Sequence, residues 1–255
     1  MQTTPSSDFA AQLDRVERDV AGGNLDLSTL GFWRLVAQVK RDPALRDLFA
    51  DRIGAIDRLA FEGRVRVRFP LWLGTLVLLA GAGVGALAIP VGLGLARGEG
   101  TFGWLSVGRS PQLGGLVLLA SALVLTVALH SPTHVIVGRL LGIRFLAYFI
   151  GGPIPVTPGA KIEYSSYLRA SPGARAVMHA AGAVVSKAAP FVVFAFAYLA
   201  HRAREYELLP AWSLWTVLGV GLFQLLTDAT LSRRYSDWKK VARELRIARS
   251  DSGRA

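Results

Sequence analysis

Four long apolar runs constrain this chain more than any other feature. Residues 70–96, 113–142, 176–200 and 211–231 are dominated by Leu, Val, Ala, Gly and Phe. A helix rises ~1.5 Å per residue and needs ~20 mostly apolar residues to cross a ~30 Å hydrocarbon core, so each run suffices for one crossing. Within lipid the backbone must satisfy its own polar groups, which makes helices the expected form. Hydrophobic residues fill 52% of the 255 positions, and they are gathered into these runs instead of scattered over short elements as in a soluble domain. The expected fold is an all-α integral membrane protein with about four transmembrane helices.

The flanks read differently. Residues 1–68 carry mixed charge with helical periodicity at Leu13, Val16 and Val20, at Leu30, Phe32, Leu35, Val36 and Val39, and at Leu45, Leu48, Phe49, Ile53 and Ile56, broken by an AGGN turn at 21–24. Asp42 before Pro43 is a helix start signal. This stretch reads as an N-terminal amphipathic helical domain, followed by a membrane domain over 69–232. The tail, 233–255, reads as a basic amphipathic helix on the inner leaflet, Ser236 or Asp237 serving as its cap. Between the second and third runs, FLAYFIGGPIPVTPGAKIEYSSYLRASPG alternates aromatic and β-branched residues with Gly-Pro and Pro-Gly pairs, which predicts a short extended or re-entrant segment.

The formal net charge is +11. The basic residues crowd beside the apolar runs, at RVRVR (64–68) and at Arg233, Arg234, Lys239, Lys240, Arg243 and Arg246. That placement is the signature of topology and of a lipid bilayer as partner, and no nucleic acid is expected. Both clusters belong inside, so the N- and C-termini are expected on the cytoplasmic side of the cell membrane, and an even number of spans satisfies both. The first twenty residues lack the basic and apolar regions of a cleavable signal peptide. With no cysteine in the chain, a metal would have to be held by His, carboxylate or backbone oxygen.

Polar residues within the runs are costly in hydrocarbon and therefore mark function by default. They are His130, His134, His179, Lys187, Gln224 and Asp228. His130 and His134 are four apart, so their imidazoles share one helix face and can grip one ion. The second run enters at about 113 and reaches His130 after a rise of roughly 26 Å, and the fourth reaches Asp228 after a similar rise, while His179 lies one turn from the cytoplasmic end of the third. Two imidazoles and a carboxylate with an open position make a catalytic zinc set. The same groups can instead hydrogen-bond one another without a metal. Lys187 reads as a structural or pathway cation that would need a helix tilt to meet Asp228, and Gln224 as a helix–helix hydrogen bonder.

LHSPTHVIVGRLLGIRF resembles the H-E-x-x-H motif helix of the site-2 protease family of intramembrane zinc metalloproteases, and Asp228 in LLTDAT sits where that family's later helix supplies its aspartate ligand. The order of elements over residues 113–240 is similar too. The resemblance implies Zn2+ held by His130, His134 and Asp228. The sequence departs from the pattern at Ser131, which stands in place of the motif glutamate, at Ala229, and in lacking an Asn-x-x-Pro before Asp228. A serine hydroxyl cannot take up the proton of a metal-bound water near neutral pH. The expectation is a metalloprotease-like pseudoenzyme that binds membrane-inserted protein segments without cutting them. Two alternatives stay open: an active intramembrane metallopeptidase using His179 or Glu163 as base, or a small transporter or ion-binding protein using Lys187, Asp228 and the histidines. His179 can equally be a fourth ligand or the hydrogen-bond partner of Asp228.

Overall fold

The computed structural model describes residues 5–102, 105–151, 158–203, 207–230 and 236–252. The described chain is mostly helical and divides into two compact units.

The first unit gathers residues 1–74, 135–178 and 241–255. It begins with helices α1 (Pro5–Ala21), α2 (Phe32–Arg41) and α3 (Pro43–Arg64). Asp42 caps α3, its carboxylate accepting from the Ala44 and Leu45 amides at 2.9 and 3.3 Å, with Pro43 in the first turn where its missing N–H costs nothing. The apolar positions of the three helices close on one core around Leu13, Phe32, Leu35, Val39 and Ile53. Leu168 belongs to that same core. It comes from a short helix far along the chain, α6 (Tyr164–Arg169), so the N-terminal helices do not end their packing at residue 68. Gly54 makes the approach possible, since a Cβ there would lie 2.9 Å from the Ser165 backbone nitrogen.

The extended segment expected after the second apolar run forms an antiparallel hairpin, β4 (Phe145–Ile150) with β5 (Pro158–Ile162), and β1 (Arg68–Phe69) joins its outer edge to give the order β1-β4-β5. The Gly-Pro-rich tip at 152–157 lies outside the described residues. A helix-ending Gly142 with φ of 79° leads into the hairpin, and the Ile143 amide donates back to the Gly138 carbonyl at 2.8 Å, a left-handed C-terminal stop.

The C-terminal helix α9 (Asp237–Ser252) puts Glu244 and Ile247 inside this first unit. Glu244, 1% exposed, is met by two cations: the Lys40 ammonium and the Arg175 guanidinium, whose Nε donates at 2.6 Å. Tyr167 donates to the same carboxylate at 3.1 Å. Burial pushes the Lys40 pKa down despite the attraction of Glu244. The tail, expected on the inner leaflet, turns this inward face onto the N-terminal helices. Trp238, Lys239, Arg243, Leu245, Arg246 and Arg249 line its outer side.

The second unit comprises residues 75–134 and 179–240. It is built from parts of α4 (Leu71–Arg97), α5 (Pro111–Leu140) and α7 (Pro172–Arg202), together with α8 (Ala211–Thr230). Small residues bring these helices close. The Ser121 hydroxyl donates to the Gly85 carbonyl at 2.6 Å, and Cβ atoms added at Gly115 and Gly221 would meet Ser213 at 2.6 Å and Phe191 at 2.8 Å. Inside lie Leu118, Ala122, Leu125, Ala189, Val193 and Val217. Outside, Leu76, Leu87, Val127, Leu199, Trp215 and Phe223 are exposed, an apolar exterior suited to lipid. The hairpin β2 (Gly100–Phe102) and β3 (Leu105–Val107) follows α4.

Among the described residues, three helices, α4, α5 and α7, are long and apolar enough to cross a membrane. By that measure α8 is not one of them; Gln224, Thr227 and Asp228 crowd its last turns.

Candidate metal centre

The motif histidines stand on α5, which runs through Pro132 without ending. The Thr133 hydroxyl donates to the Leu129 carbonyl at 2.6 Å in this stretch. The four-residue spacing brings the two imidazoles to 4.8 Å between ring centroids, edge to face. Opposite them is the carboxylate of Asp237, the first residue of α9. Its Oδ2 lies 3.4 Å from His130 Nε2 and 3.3 Å from His134 Nε2. These three atoms all lie within 4.8 Å of one another.

Those separations can be compared with the needs of an ion. A tetrahedral zinc with bonds of ~2.0–2.1 Å sets its ligand atoms about 3.3–3.4 Å apart. Direct N–H···O bonds centre on about 2.9–3.0 Å. The two histidine–aspartate separations match the edge of a coordination tetrahedron and also lie within reach of long hydrogen bonds. The donor set, two imidazole nitrogens and a carboxylate oxygen without sulfur, suits Zn2+ and its neighbours in the transition series. His130, His134 and Asp237 therefore can hold a metal ion.

The surrounding groups prepare this triad. On α7, Gly182 leaves the space that the His134 ring occupies: a Cβ there would fall 2.3 Å from Nε2. Ser186 Oγ lies 3.2 Å from His130 Nδ1. The Lys240 ammonium donates to Asp237 Oδ1 at 2.9 Å, one turn along α9, so the two carboxylate oxygens serve different partners. Burial opposes ionisation of Asp237, but the contacts with His130 and His134 and the charge of Lys240 outweigh it and hold the carboxyl far below the usual carboxylate range. The group is an anion, as a ligand must be. Ser236 takes the role of helix cap, its Oγ accepting from the Lys239 amide at 3.3 Å, which leaves the Asp237 side chain for the histidines.

The other sequence candidates go elsewhere. Asp228, expected as the third ligand, is paired with Lys187 at 2.7 Å, and the metal-ligand group found among the described residues takes its carboxylate from Asp237 instead. The reason is electrostatic. Lys187 lies eight residues beyond His179 on α7, a rise of about 12 Å, and a charge so placed in an apolar span requires a counter-charge at its own depth. Asp228 supplies it. His179, 4% exposed, has Nδ1 3.8 Å from Asp237 Oδ1, and its ring centre is 6.3 Å from that of His134. It flanks the triad without completing it. Glu163, in the first unit, caps α6 by accepting from the Ser165 and Ser166 amides at 3.1 and 2.9 Å, and it pairs with Arg144 at 3.3 Å.

Asp237 is the residue that sequence reasoning passed over. Its only signal was a plausible helix-cap position, and the residues joining it to α8, 231–235, lie outside those described. The chain matches no protein-family profile, no curated protein and no solved structure.

Proposed function

We propose that this chain is a multi-pass membrane protein similar to the site-2 proteases that holds one divalent metal ion, Zn2+ first among candidates, on His130, His134 and Asp237, and that it binds membrane-inserted protein segments without cleaving them by the glutamate-assisted route. The observation that carries the reading is the pair of 3.3 and 3.4 Å separations between Asp237 Oδ2 and the two imidazole nitrogens. Bound there, zinc would supply Lewis acidity toward a carbonyl or a water. The chain's own residues then set the limits. His130 and His134 orient the ion, Asp237 lowers its net charge, and Lys240 secures the far oxygen of Asp237. Ser131 follows His130 where a general base would be needed, and a hydroxyl does not fill that role. The exposed Trp215, Leu222, Phe223 and Leu226 of α8 support its being a fourth span, which would return both termini to the cytoplasmic face of the cell membrane.

A second reading keeps hydrolysis, with His179 as base, and is favoured by the 3.8 Å approach of its Nδ1 to Asp237. A transporter role draws less support, because Lys187 and Asp228 neutralise each other.

The test is metal content by plasma mass spectrometry on detergent-purified protein. About one zinc per chain, lost in His130→Ala, His134→Ala and Asp237→Ala but kept in Asp228→Ala, is the expected result. Wild-type protein without metal after zinc supplementation overturns the reading. Cleavage of a membrane-spanning peptide that stops in His179→Ala would instead favour the hydrolytic one.

A further inference from the structure

Helix α9 has two faces of opposite character. Between 237 and 250 its carboxylates are Asp237 and Glu244, seven residues apart and so on one side of the helix. Both are met by cations, Lys240 for the first and Lys40 and Arg175 for the second. The opposite side is exposed. Trp238, Ala242 and Leu245 follow one another along a single stripe, and Lys239, Arg243 and Arg246 form a row beside it, with Arg249 one turn further on. Among the described side chains of α9, no acidic one stands on this outer face. Lys239 with Arg243, Arg243 with Arg246, and Arg246 with Arg249 are neighbours three or four residues apart, and like charges at those spacings destabilise a helix. A face built for water alone intersperses the two signs. This one repels itself until an anion is brought to it.

We propose that the outer face of α9 is a docking surface for anionic phospholipid headgroups, with Trp238 and Leu245 entering the interface and Lys239, Arg243, Arg246 and Arg249 meeting the phosphate and carboxylate groups. Charge complementarity selects this occupant, and the apolar stripe beside the cations fits a bilayer surface, where Trp rings settle at headgroup level and basic side chains reach out to the charged groups. The inward face, held through Glu244, leaves the outer one available. Of the proposed function the inference uses one element, α8 as a span, and it is independent of the metal. Residues 231–236 separate α8 from α9, and a link of that length spans at most ~25 Å fully extended, so α9 begins within that distance of the membrane surface. Each cation close to an anionic leaflet contributes about fivefold in affinity.

The chain has no cysteine, so Ala242→Cys places a single nitroxide in the apolar stripe of the full-length protein. The experiment is spin-label accessibility to oxygen and to a water-soluble nickel complex, with the protein reconstituted in vesicles of phosphatidylcholine alone or with about one third phosphatidylserine. The expected result is a label shielded from nickel and open to oxygen in the anionic vesicles, and returned toward water in the neutral ones or in 1 M salt, where the Debye length falls to ~3 Å. Lys239→Gln with Arg243→Gln should lower the lipid-to-water population ratio in anionic vesicles by about 25-fold, fivefold for each charge, while leaving zinc content unchanged. The same label on Phe223→Cys, at an exposed position of α8, reports on the span separately. A label at 223 open to nickel in both vesicles overturns the span and, with it, this inference. A label at 223 shielded in both, with one at 242 indifferent to lipid charge, overturns the docking surface alone. Spin–spin broadening at 242 that survives dilution with lipid would put a second copy of the chain on this face and likewise overturn the proposal.

Discussion

Gly182→Ala is the smallest perturbation that tests the pose of His134. The added Cβ would stand 2.3 Å from Nε2, 2.4 Å from Cδ2 and 2.6 Å from Cε1 of the ring. Ordinary contact begins at 3.4 Å, so the imidazole must retreat by about 1.1 Å, the difference between the 3.4 and 2.3 Å separations. Metal–ligand distances tolerate about 0.2 Å. The displacement is several times that tolerance and removes one of three ligands without altering any ligating residue. We expect zinc affinity to fall by at least ~100-fold, about 2.8 kcal/mol. Alanine is a better helix former than glycine by ~1 kcal/mol, so α7 itself should not weaken. The assay is competition with a chromophoric chelator in detergent, alongside a thermal melt of the metal-free protein. Wild-type zinc affinity in Gly182→Ala would show that His134 does not need the place it occupies beside Gly182, and the triad geometry would fall with it.

Three further outcomes follow from the first unit. Glu244→Ala leaves Lys40 and Arg175 buried without their shared anion, and should destabilise the protein by about 3–5 kcal/mol, read as a lowered melting temperature in detergent. Glu163→Ala should cost about 0.5–2 kcal/mol through loss of the α6 cap while leaving zinc content unchanged, measured by the same melt and by metal analysis. Hydrogen bonds from Arg169 and Ser165 lower the Asp51 pKa from 3.8 to about 2. Its pairing therefore stabilises the fold above 3.8 and is lost as the pH falls toward 2. The effect is small because the pair is exposed, and Asp51→Asn should flatten that part of the pH–stability curve, most visibly at low salt.

How far sequence reached can be judged residue by residue. Hydrophobic run length set the helices containing His130, His134, His179 and Asp228 to within a few residues, because the bilayer demands a minimum apolar length and helical hydrogen bonding is local. The four-residue spacing of His130 and His134 put both rings on one face for the same local reason. Asp42 and Pro43 marked the start of α3, and the Gly-Pro-rich stretch after the motif helix marked the hairpin. These are properties of short stretches of chain.

The choice of carboxylate was a different matter. Asp228 and Asp237 are both available to a reader of the sequence, and depth counted along the chain favours Asp228. The structure pairs Asp228 with Lys187 and brings Asp237 to the histidines. That outcome depends on the position of a buried lysine on another helix, on Ser236 taking the cap that Asp237 might have taken, and on the cavity left by Gly182. Each is a relation between residues distant in sequence, and Coulomb attraction and steric exclusion act on distances in space that no periodicity encodes. Composition and local pattern determined that this chain forms helices long and apolar enough to cross a membrane and presents two histidines together; only the tertiary structure decided which anion meets them.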